Sequence, residues 1–407
     1  MALLPVSDAL GRLLRGAARI RRSEMIGLHA AAGRVLAENV VARLTHPAFD
    51  NSAMDGYAGR HDDFATIGAE LTVIGQSAAG RGFAGHVGPG EVVRIFTGAP
   101  VPAGADTVLF QEDAEILADT RIRTTFNPGK GRHIRPKGQD FRAGDVVLRK
   151  GELLDSGRLT VAAGMNHPEL SVFVRPKVAI LATGDELLPP GCVPGPDQII
   201  ASNTYGVAAI ARDNGGEVID LGIIRDDTAA IAAAVAEARA VGADVLVTLG
   251  GASVGDHDLV QSTLVASGMT LDFWQIAMRP GKPLMVGTLD GMTVLGLPGN
   301  PVSSLVCALL FLEPLLRHLG SLPARDRGGK ARTVTALAAN DKRQDYVRAR
   351  LSRDSDGTLK AETFSRQDSS MMQVFARSDC LIIRAPFAPE AKAGTICDIL
   401  ILRQPVL

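Results

Sequence analysis

The sequence predicts a multi-domain protein of α/β plus β class. It should contain a parallel α/β domain, a β-rich domain inserted ahead of it, and a further small β-rich domain at the C-terminal end. Three observations carry this. A chain of 407 residues exceeds the roughly 250–300 residues at which a single hydrophobic core stops growing. Between 175 and 324, β-branched apolar runs alternate with helical segments, the pattern of a parallel sheet with helices on both faces. Between 71 and 145 the runs shorten and alternate, separated by turns such as Gly88-Pro89-Gly90 and Pro102-Ala103-Gly104.

In chain order, Ser7 followed by Ala9, Leu10, Leu13, Leu14 and Ala17 predicts an amphipathic helix with a serine N-cap. Residues 31–40 read as a glycine turn entering a strand. The segment Pro47-Ala48-Phe49-Asp50-Asn51-Ser52-Ala53-Met54-Asp55-Gly56-Tyr57-Ala58 reads, on its residues alone, as a surface turn rich in Asx hydrogen bonds. Strands are expected at 71–74, 91–96 and 107–110. The basic loop 130–140 would either clamp an anion or lie solvated. A helical patch at 159–163 precedes the buried run 178–182. A helix at 203–212, a strand at 217–221, a helix at 229–240, and strands at 244–249 and 293–297 follow. Beyond a charged linker at 325–330, runs at 346–351, 380–383 and 396–402 predict a small barrel or open sheet.

Chemistry is expected where the central strands end. The run Asp244-Val245-Leu246-Val247-Thr248-Leu249 stops at Gly250-Gly251, then enters a loop carrying Asp256 and Asp258. A strand, a glycine turn and a helix make a ligand crevice at the carboxyl end of an open α/β sheet. The glycines admit a phosphate to the backbone and the helix start donates N–H groups to it. Carboxylates suit an anion site only with a metal between them and the phosphate. Gly184-Asp185-Glu186 and Arg225-Asp226-Asp227 end other strands in the same way, so the three acidic groups should share one rim. Residues 279–283 and 297–304 would add cations and backbone donors there, favouring a metal-assisted phosphate site.

Composition narrows the class. A net charge of −1 gives no support for nonspecific nucleic-acid or acidic-membrane binding. No window reaches the ~18 apolar residues of a membrane span, and the acidic, short N-terminal stretch does not read as a signal peptide. Four cysteines without a CxxC pair fit free thiols in a reducing cytoplasm.

The ordered set of 49–57, Ile95-Phe96-Thr97-Gly98-Ala99, Thr183-Gly184-Asp185-Glu186-Leu187, 250–255, Pro280-Gly281-Lys282-Pro283 and Leu297-Pro298-Gly299-Asn300-Pro301 resembles the molybdopterin molybdenumtransferase family, bacterial MoeA and the E domain of gephyrin. The resemblance spans nearly the whole chain. It implies an elongated linking domain (1–45 and 141–174), an inserted β-rich domain (46–140), a molybdopterin-binding α/β domain (175–324) and a C-terminal β-barrel (325–407). It also implies a homodimer with the active site between subunits, and a reaction in which molybdenum from molybdate enters adenylylated molybdopterin as AMP leaves. A molybdopterin adenylyltransferase upstream and recipient molybdoenzymes downstream are the implied partners. Under the resemblance, 49–57 would face a neighbouring subunit's rim rather than form a plain turn.

The resemblance also implies roles. Glu186, Asp226 and Asp258 would hold Mg²⁺ against the phosphate or orient attack on it, with Asp185 as a neighbouring candidate. Asp55, Thr97 and Asp140 would complete the site across the dimer near molybdate. Glu186, Asp258, Asp55 and Asp140 form the expected catalytic set. Lys282 would neutralise pterin-phosphate or adenylate charge, while Ser253, Pro298, Arg348 and Ser369 join Thr97 in binding substrate. This sequence departs from the pattern at Gln367-Asp368-Ser369, where the family usually reads Gln-Gly-Ser, and at Gln275 and Arg279, which stand where lysines are expected. Alternatives are a molybdopterin adenylyltransferase, a CinA-like nucleotide hydrolase, or a non-catalytic pterin-binding scaffold.

Overall fold

A computed structural model describes residues 3–250 and 259–403. The chain divides into two compact units, one of residues 25–172 and one combining 1–24 with 173–407.

The larger unit is built on a six-stranded sheet. Its order is Glu217–Ile224, Lys177–Thr183, Val245–Leu249, Met292–Leu297, Pro283–Leu289, Thr270–Gln275. The first four strands are parallel, and each was expected from its apolar run. The last two are antiparallel and were not expected. Asp290 and Gly291, both at positive φ, turn the chain straight back between Met292–Leu297 and its predecessor. A two-residue turn of that hand permits only antiparallel pairing.

Period-two alternation supplies both faces of the sheet. Val178, Ile180 and Ala182 face one core, which includes Val207, Phe311 and Leu315. Ala179 and Leu181 face the other, with Ile231, Val235 and Leu264. The helices Asn203–Asp213 and Thr228–Ala240 therefore contribute to opposite cores. The helical stretch Pro301–Leu319 is long and apolar enough to cross a membrane, but most of it is buried inside this unit. Midway it passes through a π-helical turn, Ala308–Leu312.

The N-terminal helix Val6–Gly16 buries Val6, Ala9 and Leu13 in the first of these cores. The sequence grouping of residues 1–45 with 141–174 thus divides between the two units. Its N-cap is Pro5, with no side-chain bond, and not Ser7. Proline's fixed φ starts the helix early, and the Pro5 carbonyl accepts the Ala9 N–H at 2.9 Å. Ser7 falls inside the first turn, where its hydroxyl donates to Asp8.

The C-terminal domain is a closed barrel. Gln344–Arg353, Leu359–Thr363, Gly328–Thr333, Ile396–Ile401 and Cys380–Arg384 pair in sequence around the ring, and the last closes onto the first. Ala331, Ala349, Ala361, Cys380, Ile382 and Ile399 fill it. The expected linker at 325–330 already enters a strand at Gly328, because Ala331 and Thr333 face inward, alternating with the exposed Lys330 and Arg332.

In the smaller unit, a six-stranded sheet has the order Thr107–Phe110, Gly56–Gly59, Glu91–Ile95, Glu70–Ser77, Arg121–Thr124, Ala114–Ala118. A second core of this unit gathers Leu36, Val40, Phe141, Leu154 and Met165. The surface-turn reading of 47–58 holds for the bends at 47–49 and 53–55 but not for the strands at 51–52 and 56–58. Gly56–Gly59 is an interior strand, buried throughout. Gly56 has to be glycine, since a Cβ would lie 1.9 Å from the Leu109 carbonyl oxygen.

Candidate functional site

The larger unit holds a cavity of about 850 Å³ at the carboxyl ends of its parallel strands. The strand Lys177–Thr183 delivers Thr183 and then Glu186 to its wall. Glu217–Ile224 delivers Asp226, and Val245–Leu249 delivers Gly250. Gly250 sits at φ +98°, and a Cβ there would come within 2.9 Å of the Thr183 carbonyl oxygen, so the strand end closes tightly only with glycine. Pro298, Asn300 and Ser370 face these groups from the far wall. The Thr183 hydroxyl, on a residue 6% exposed, has no hydrogen-bond partner among the described residues.

Glu186 and Asp226 meet at this cavity as expected. Asp185 is beside them, its carboxylate accepting the Asp226 N–H at 3.4 Å. Burial, then repulsion from Asp185 and Glu186, pushes the Asp226 carboxyl above its ordinary value. Such crowding of acidic groups is relieved by a bound cation. Ser253 and Asp258 lie outside the described residues. Among the described residues no three acidic, histidine or cysteine groups gather closely enough to hold a metal.

Lys282 is half-buried beside Pro283, which lines the cavity, and its carbonyl accepts the Ile276 N–H at 3.0 Å. Arg279 does not supply the free cation expected of it. Its Nε donates to Asp345 at 2.6 Å, and Asn340 and Asp341 also engage the guanidinium. Its charge is neutralised by acids of the C-terminal domain. Arg348 is 1% exposed, and its Nε and Nη2 find no acceptor among the described residues. Burial lowers its pKa, against the pull of Asp345 and Asp368. A buried guanidinium with open donors is costly unless an anion answers it. Ser369 is half-buried and accepts from Asn300 at 3.0 Å. The unexpected Asp368 turns to its own loop, accepting the Ser370 N–H at 2.8 Å and hydroxyl at 2.6 Å.

In the smaller unit, Asp55 and Thr97 come together although 42 residues separate them. Asp55 Oδ1 accepts the Thr97 N–H at 2.7 Å and its hydroxyl at 2.8 Å. The N–H bond first, then the hydroxyl, hold the Asp55 carboxyl below the usual range. The basic loop is tied down: Ile134–Arg135 pairs with Asn51–Ser52, and Asp50 accepts the Lys137 N–H at 2.7 Å. Asp140 belongs to a separate hollow of about 440 Å³, with His46, Arg135 and Gln139.

Sequence reasoning gave no role to Asn203 or to the side chain of Asn300. Asn203 donates to the Gly299 carbonyl at 2.7 Å and Asn300 to Ser369, so the two fix the far wall. The signal was local: each asparagine stands where a helix begins, at Asn203–Asp213 and Pro301–Cys307.

Residues 4–165 match the MoeA N-terminal region (domain I and II), 179–318 the probable molybdopterin binding domain, and 330–402 the MoeA C-terminal region (domain IV). The chain is 33% identical to the molybdopterin molybdenumtransferase of Haemophilus influenzae, over 96% of this chain and 97% of that one. It is 37% identical to that of Nostoc sp., over 80% and 76%. Two crystal structures of the MoeA molybdopterin biosynthesis protein from Pyrococcus horikoshii superpose with TM-scores of 0.83 and 0.82. Their identities are 29% and 25%, covering 99% and 98% of this chain and 100% of each of those.

Proposed function

Since this chain belongs to the MoeA family, we propose that it is a molybdopterin molybdenumtransferase, inserting molybdenum from molybdate into adenylylated molybdopterin with release of AMP. The observation that carries the reading is the 850 Å³ cavity, where Glu186 and Asp226 face Asn300 and Ser370. Matches to both β-rich regions separate the chain from adenylyltransferases and CinA-like hydrolases, for which only the α/β domain is expected.

Glu186 and Asp226, where like charges already repel, offer hard carboxylate oxygens of the kind magnesium prefers, and Asp258 would complete the set. Glu186 and Asp226, with Asp258, would hold Mg²⁺, which supplies charge neutralisation at the adenylate phosphates. Glu186 and Asp258 orient the phosphate for cleavage. Lys282 answers phosphate charge, with Ser253 and Pro298 binding the same substrate. The orphaned donors of Arg348, near Ser369, suit an oxyanion such as molybdate or a pterin oxygen. Asp55, Thr97 and Asp140 act from the partner subunit of a homodimer. Four free thiols suit a reducing cytoplasm, where the product would pass to recipient molybdoenzymes.

The test is AMP release by the purified protein from adenylylated molybdopterin with Mg²⁺ and molybdate. Glu186→Ala should lower turnover by about a hundredfold or more while the dimer persists by light scattering. A fully active Glu186→Ala protein would remove the site assignment, and pterin binding without AMP release would favour the scaffold.

A further inference from the structure

Arg94 has no part in the reading above, yet its side chain engages four partners beside Asp55 and Thr97. It stands on the strand Glu91–Ile95, directly across from Tyr57 on Gly56–Gly59. Its guanidinium lies over the Tyr57 ring and over the Phe96 ring, 5.0 Å from each centroid. Nη1 donates to the Gly56 carbonyl at 3.2 Å, and Nη2 to Gln111 Oε1 at 2.7 Å.

Each of these partners adjoins the Asp55–Thr97 pair. Gly56 follows Asp55 in the chain and Phe96 precedes Thr97. Gln111 donates its own N–H to the Asp55 carbonyl at 3.1 Å. One planar fork therefore grips both chain segments that carry the pair. Lysine, with a point charge and no fixed fork, cannot hold two carbonyl-type acceptors and two rings at once.

We propose that Arg94 is a positioning residue for this site: clamped between Tyr57 and Phe96, it fixes the direction in which Asp55 and Thr97 present themselves to substrate. The inference rests on the reading of Asp55 and Thr97 as site residues. Thr97 holds Asp55 Oδ1, and Arg94 braces the backbone on both sides of the pair, at the Gly56 carbonyl after Asp55 and against the Phe96 ring before Thr97.

The experiment uses full-length Arg94→Gln and Arg94→Lys proteins alongside Asp55→Asn. In AMP release with Mg²⁺ and molybdate, Arg94→Gln should lose about tenfold or more in kcat, as small misplacements of reacting groups do, with KM for adenylylated molybdopterin within about twofold. The acid limb of its pH profile should move to higher pH, because Asp55 loses a nearby cation and its two bonds from Thr97 loosen. Arg94→Lys should fall between the two, keeping the charge but not the fork. Amide exchange at Thr97 should quicken in both variants relative to the other amides of the same sheet, a readout that needs no turnover, and Arg94→Lys supplies it where Arg94→Gln folds poorly. Wild-type kcat with an unmoved acid limb in folded Arg94→Gln, or unchanged Thr97 exchange in Arg94→Lys, would overturn the proposal. A fully active Asp55→Asn protein would overturn the reading of the site instead, and quickened Thr97 exchange would still identify the clamp.

Discussion

Asn300 donates its side-chain amide to the Ser369 hydroxyl at 3.0 Å, while the Ser369 carbonyl receives the Val302 N–H at 3.0 Å. Residues 69 apart in sequence thereby join the loop of the α/β domain to a loop of the barrel, on the wall of one cavity. Asn300→Ala removes the side-chain bond and leaves the backbone one. A neutral hydrogen bond contributes about 1 kcal/mol net, so turnover should fall roughly fivefold. Steady-state AMP release against molybdate concentration checks this, and unchanged kinetics would mean that Ser369 needs no such support.

Asp226 carries a cost in the absence of a cation. Its folded pKa is raised, by burial first and then by Asp185 and Glu186. A carboxyl whose folded pKa lies above its unfolded value opposes folding once the pH exceeds both; the opposition fades as pH falls through the folded value and is gone below the unfolded one. Asp226→Asn should therefore stabilise the metal-free protein at neutral pH. The gain should be small, within about 1 kcal/mol after solvent screening, and the stabilisation by added Mg²⁺ should disappear. Thermal unfolding with and without Mg²⁺ reads both effects; a less stable metal-free Asp226→Asn protein would contradict the account.

Glu313 is a buried acid of the larger unit, 3% exposed, paired through both oxygens with Arg327 at 2.8 Å and bonded to Asn214 at 3.2 Å. Burial pulls its pKa up, but Arg327 and the further cation Arg325 outweigh this and hold it below the ordinary value. A depressed folded pKa contributes stability that is complete above the unfolded value and is lost as pH falls through the folded one. Glu313→Ala strands the Arg327 charge and should cost about 3–5 kcal/mol. Denaturant unfolding should show that gap at pH 7 and a narrower gap below pH ~4, near the intrinsic carboxylate range. A loss that is the same at both pH values would assign the effect to packing.

The four thiols should separate by reactivity. Cys192 is exposed, whereas Cys307 and Cys380 are buried. Burial raises the Cys307 thiol far up and pushes Cys380 to about 12. Only thiolate reacts with alkylating reagents. At pH 8 the native protein should label rapidly at Cys192 and leave Cys307 and Cys380 untouched until unfolding, as peptide mass mapping would show. Rapid labelling of Cys307 in the folded protein would contradict the packing around Gly281, where a Cβ would lie 2.5 Å from the Cys307 sulfur.

What was legible in the sequence followed from local patterns. The runs at 178–182 and 245–249 announced strands covered on both faces, and the acids after 178–182 and 217–221 announced Glu186 and Asp226 on one rim. What was not legible depends on partners far along the chain. Arg279 looks like a free cation beside Lys282 until Asp345, 66 residues on, claims it. Asp55 sits in a string of turn-forming residues, and only the return of Thr97 across the sheet makes the carboxylate part of a built pair. Thr270–Gln275 went unseen because its exposed Thr270 and Asp272 interrupt the apolar pattern of an edge strand.

The two-residue strand Met278–Arg279 leaves the α/β domain to run parallel to the start of Gln344–Arg353, with Arg279 bonded to Asp345. The barrel is thus not a detachable module. Transplanting residues 325–407 from a relative would carry away Asp345 and Ser369 while leaving Arg279 and Asn300 behind. Such a chimera inherits mismatched halves of two seams, and its compatibility is decided by four side chains rather than by overall identity.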